Sequence, residues 1–73
     1  MTFTLTVSQE PSDAPRGHAE LTEAETWALA QFVKRVGWTE FRGNAVDEAE
    51  AYQIRSAVDK LQRALAGAGI APR

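Results

Sequence analysis

Cysteine is missing from the 73 residues, and histidine, tyrosine and methionine occur once each. The first absence excludes disulfides and the commonest zinc sites, and it leaves no thiol nucleophile. Small chains usually gain stability from disulfides, a metal or oligomerisation, and a chain of this length buries only roughly 60% of its unfolded surface. Oligomerisation is the support that remains, so a homodimer is expected. No apolar run approaches the roughly 20 residues of a membrane span, and the N-terminus lacks the basic, apolar, small-residue order of a signal peptide. The expectation is a cytoplasmic protein with no membrane partner. A net charge of -2 gives no general attraction to phosphate, so nucleic acid is not an expected partner either.

Parts for catalysis are also scarce. His18 stands alone in a stretch that reads as a loop, and no serine has a context that would activate it. The carboxylate pairs Glu23/Glu25 and Glu48/Glu50 have no deep cleft in a two-helix domain to raise a pKa. Asp47, Glu48 and Glu50 lack the glycine and alternating oxygens of a calcium loop, and the glycines of "GAG" follow a helix and so form no phosphate loop. No enzyme, cofactor or metal site is expected.

What is present begins with "TFTLTVS", an unbroken alternation of polar and apolar residues that predicts a strand over 1–8. It puts Phe3, Leu5 and Val7 on one face, and a lone strand is marginal in water. Three partners fit it: a second copy, the short stretch "GHAEL", or the edge of a target protein's sheet. Pro11, Ser12, Asp13, Pro15 and Gly17 then mark a connector over 9–20, in which "GHAEL" is the alternative second strand.

"LTEAETWALAQFVKRVG" opens with a capping box, Thr22 with Glu25, and predicts a helix over 22–36 that stops at Gly37. Leu29, Phe32, Val33 and Val36 share one face and are the expected core, whereas Trp27 projects to the far side. Thr39 is the expected cap of a short helical turn over 39–43, with Trp38 and Phe41 closing the end of the core. Asp47 and Glu50 repeat the cap spacing before a helix over 47–66, and 67–73 is left as a tail. Ile54, Ala57, Val58, Leu61, Ala64 and Leu65 face the first helix, and Tyr52 points away. The fold class is α+β, mainly α: one strand followed by an antiparallel helical hairpin in a single domain.

Charge is unevenly placed. Acids dominate up to Glu50, and after it Arg55, Lys60, Arg63 and Arg73 outweigh Asp59. Helix dipoles explain much of this pattern. The other reading is an acidic rim of Glu40, Asp47, Glu48 and Glu50 that meets a basic, nucleic-acid-binding surface on a partner protein. Outward tryptophan and tyrosine are the side chains that most often anchor interfaces, so Trp27 and Tyr52 are the candidate anchors.

Two resemblances bear on function. Strand followed by two helices resembles the ribbon-helix-helix repressors, which would put Phe3, Leu5 and Val7 in a dimer core and Thr2, Thr4 and Thr6 against DNA bases. The strand's lack of Lys, Arg, Asn or Gln and the long connector depart from that pattern. "WALAQF", "RVGW" and "DEAEAY", within a helical part covering about two thirds of the chain, resemble small uncharacterised proteins encoded in proteobacterial prophages and integrative elements. The connector looks like an insertion beside that pattern. This resemblance implies a non-enzymatic module that binds a host protein or complex and inhibits it, as anti-CRISPR proteins do. Independently of either resemblance, the lone strand and small core make Phe3, Leu5 and Val7 the expected interface of the homodimer.

Overall fold

A computed structural model describes residues 2–8 and 16–72. β1, Thr2–Ser8, pairs antiparallel with β2, Arg16–Thr22, and three helices follow: α1, Glu23–Arg35, α2, Trp38–Gly43, and α3, Glu48–Gly67. The chain is thus α+β with a two-stranded antiparallel sheet. The expected connector over 9–20 is corrected, because residues 16–20 lie in β2; residues 9–15 lie outside the described part. Ala19 and Leu21 alternate with His18 and Glu20, and that period of two suffices once β1 supplies a partner. His18 is accordingly an exposed strand residue opposite Thr6. The register sets Phe3 against Leu21, Leu5 against Ala19 and Val7 against Gly17 on one face, and threonines against Thr22, Glu20 and His18 on the other.

Thr22 ends the sheet and starts α1 in one residue. Its Oγ1 accepts from the Glu25 amide at 3.1 Å, and Glu25 Oε1 accepts from the Thr22 amide at 2.8 Å. α1 closes at Val36, whose amide donates to the Phe32 carbonyl at 3.1 Å. Gly37 is extended, with φ -139°, so it does not stop the helix by a left-handed turn. Instead its amide donates to Glu40 Oε1 at 2.7 Å, and α2 starts at Trp38, not after Thr39 as its hydroxyl suggested. Asp47 Oδ1 caps α3 by accepting from the Glu50 amide at 2.8 Å.

The far end of α3 corrects the expected tail. Gly69 has φ 87°, which favours glycine, and its amide donates to the Ala66 carbonyl at 3.0 Å while that of Ile70 donates to Leu65 at 2.8 Å. Such a paired termination brings the residue after the glycine back onto the helix. Ile70 is buried at 4% exposure beside Leu65, Ala30 and Val33.

The core is narrow and made of small residues. Among the described residues Ala30, Val33, Ala51 and Ile70 are its buried apolar members, with Thr26, whose Oγ1 donates to the Thr22 carbonyl at 2.8 Å. The buried line of α1 is Thr26, Ala30 and Val33, roughly a fifth of a turn from the expected one at 100° per residue. Phe32, expected in the core, is 61% exposed. The rotation puts short side chains where α1 meets α3, close enough for Gln62 Nε2 to donate to the Val33 carbonyl at 3.2 Å. A phenylalanine there would hold the helices apart. Ala57 and Ala64, expected on the facing line of α3, are likewise exposed. The extents are 37 × 37 × 16 Å, so the molecule is a slab little thicker than one layer of helix.

Candidate functional site

Starting α2 at Trp38 turns that indole toward α3, where it meets Tyr52 with ring centroids 4.7 Å apart and planes tilted by 43°. Such a pair contributes about 0.5–1.5 kcal/mol beyond the area it buries. Both rings stay partly open, Trp38 at 39% and Tyr52 at 53%. Tyr52 borders an open groove of about 590 Å³ whose walls include Val36 at the end of α1, Phe41 of α2 and Val58 of α3. Lys34 and Arg55 line it as well, and neither forms an ion pair among the described residues. Asp59, the acid in that lining, pairs at 2.8 Å with Arg63. The groove therefore has mixed walls, apolar at Val36, Phe41 and Val58 and polar at Ser56 and Gln62, with an aromatic edge at Tyr52 and two cations that form no ion pair among the described residues.

Sequence reasoning chose Trp27 with Tyr52, but the structure pairs Tyr52 with Trp38. Trp27 lies on α1 at 37% exposure, and neither it nor Trp38 lines the groove itself; Trp38 reaches the groove's edge only by stacking on Tyr52, a contact that Trp27 lacks. The acidic candidates are mostly occupied in capping: Glu40 accepts from Gly37, Asp47 from Glu50, and Glu50 from the Val46 amide at 3.4 Å. Glu48 has no such bond among the described residues and sits one turn before Tyr52 on α3. Lys34, Phe41, Arg55 and Trp38 went unnoticed as site residues. The glycine followed three residues later by Glu40 was the usable signal, because it fixes where α2 starts and so where the indole points.

A second, apolar groove of about 320 Å³ lies between the hairpin and the helices, lined by Phe3, Leu5, Leu21, Leu29, Leu61 and Leu65. Beneath β1 lie Leu29 of α1 and Leu61 and Leu65 of α3, and neither Trp27 nor Tyr52 lines that groove. Toward the hairpin's tip the cover thins, with Phe3 half-buried, Leu5 42% exposed and Val7 62% exposed. The opposite face shows Thr2, Thr4, Thr6, His18 and Glu20. A carboxylate there opposes phosphate and does not attract it.

Among the described residues no three of His, Asp and Glu stand close enough to hold a metal ion, and no helix is long and apolar enough to cross a membrane. A family model, the family of unknown function DUF7706, matches residues 1–73. The chain belongs to DUF7706. The DUF7706 match takes in the hairpin and residues 9–15 along with the helices, so the N-terminal segment is part of the family's domain. No curated protein and no solved structure matches the chain.

Proposed function

We propose that this chain is a non-enzymatic protein-binding module whose partner docks in the groove between α1, α2 and α3, anchored on Trp38 and Tyr52. The observation that carries the reading is the half-open aromatic pair beside two unpaired cations. A stacked tryptophan and tyrosine are already held in one orientation, so a partner loses little side-chain freedom in meeting them. Glu48 lies one turn before Tyr52 and Arg55 one turn after it, so the rim is acidic at one end and basic at the other. A partner segment of matching polarity, with an apolar group set against Tyr52 and Phe41, binds there in one direction. The resemblance of "WALAQF", "RVGW" and "DEAEAY" to prophage-encoded proteins supports a host protein as the proposed partner, with inhibition of a host complex as the proposed consequence of docking. The capping acids Glu40, Asp47 and Glu50 extend the acidic end.

Wild-type protein immobilised as bait in a host lysate, with the captured protein identified and then titrated in purified form, tests this. Tyr52→Ala and Trp38→Ala are expected to weaken binding by about thirty-fold, the effect of losing an anchor worth about 2 kcal/mol. Trp27→Ala, outside the groove, is expected to leave it nearly unchanged. If the Tyr52 and Trp38 variants fold and bind like wild type, the groove is not the docking site.

A further inference from the structure

We propose that β1 pairs antiparallel with β1 of a second copy of this chain, joining two hairpins into a four-stranded sheet, β2-β1-β1′-β2′, with Leu5 on the two-fold axis. This concerns the hairpin edge and does not rest on the groove reading.

The free edges of the hairpin differ. β2 carries charge at Arg16 and Glu20, and its C-terminal end runs directly into α1, whereas β1 has neither charge nor proline in seven residues. An edge strand of that kind lacks the devices that keep strands from pairing with one another. Antiparallel pairing of β1 with its own copy about Leu5 sets Phe3 against Val7′ and Leu5 against Leu5′. Side chains alternate along a strand, so all of these fall on one face and continue the apolar face of each hairpin. Directly opposed residues lie about 5 Å apart at Cβ. Val7, the most exposed large apolar residue of the sheet, therefore moves beside Phe3 of the other copy, at the mouth of the leucine-lined groove.

Surface area gives a second argument. The chain exposes 5667 Å², against about 4,500 Å² for a compact fold of 8.0 kDa, an excess of roughly 1,200 Å². A stable interface removes about 800 Å² from each partner. The radius of gyration, 13.7 Å, likewise exceeds the roughly 11 Å of a compact chain this long. Among the described residues the buried apolar ones other than Val33 and Ile70 are alanines, so the monomer leaves its larger apolar groups for a neighbour to cover.

Sedimentation equilibrium of the full chain across micromolar concentrations should give twice the 8.0 kDa chain mass. Leu5→Lys and Leu5→Glu should each sediment as monomers, since each sets like charges face to face at the axis, and an equimolar mixture of the two should return to the dimer mass. Recovery on mixing separates opposition of Leu5 with Leu5′ from a merely structural role. Leu5 is 42% exposed, so both variants should keep the wild-type helical spectrum; should either unfold, Val7→Lys, at 62% exposure, is used in its place and should be monomeric. A wild-type chain that stays at 8.0 kDa overturns the proposal, as do substituted chains that remain dimers or a folded mixture that stays monomeric.

Discussion

The hairpin and α3 treat their apolar residues in opposite ways. Along α3, Ala51, Ile54, Val58, Leu61 and Leu65 form one line that stays covered or half-covered over four turns. Along β1, cover is lost step by step from Phe3 to Val7. Both stretches have the right period for their element, so the difference does not lie in patterning. α3 has α1 and α2 beside it, and β1 has helices beneath only one of its ends. An apolar face on a strand is a demand for cover that local sequence states and cannot meet.

Substitutions can break or sharpen that contrast. The largest effect is expected at Ala51, at 0% exposure on the covered line of α3: Ala51→Leu should cost about 2 kcal/mol or more in urea unfolding followed by circular dichroism. A loss below 0.5 kcal/mol would mean that α3 is as loosely covered as β1. Next comes the hinge between the two regions. Thr22→Ala removes the hydroxyl half of the capping box and should cost about 1 kcal/mol. On the open side of α3, Arg63→Ala deletes an exposed pair with Asp59 and should cost only about 0.3–0.5 kcal/mol, an effect that high salt should erase. Smallest of all, Val7→Thr should change unfolding by less than about 0.5 kcal/mol in dilute protein. In concentrated protein the same substitution should lower the melting temperature if two copies share that face.

Caps were legible because they are local. Thr22 with Glu25 and Asp47 with Glu50 need only three residues of chain and two donors without partners. β1 was legible for the same reason, from its alternation alone. β2 was harder, because Pro15 and Gly17 signal a turn and only pairing with β1 stabilises extended backbone there. The face of α1 was read wrongly at Phe32, since a helical wheel ranks residues by hydrophobicity while packing against α3 selects the short ones. Ile70 falls in the expected tail because the left-handed turn at Gly69 that returns it to the core is a long-range gain written in one glycine. In the site, Tyr52 was found by its outward position. Its partner was missed, because Trp38 lies fourteen residues away and reaches it only through the angle between α2 and α3.

What the sequence determined by itself is β1, the three helices, the caps at Thr22 and Asp47 and the chemical poverty of the chain: no thiol, one histidine and no strong charge excess. Each depends on composition or on contacts within a few residues. Tertiary structure decided which faces are covered, which aromatic meets Tyr52 and which cations stand unpaired beside it. Those depend on the rotation of one helix against another, and short side chains at Thr26, Ala30 and Ala51 set that rotation by allowing close approach.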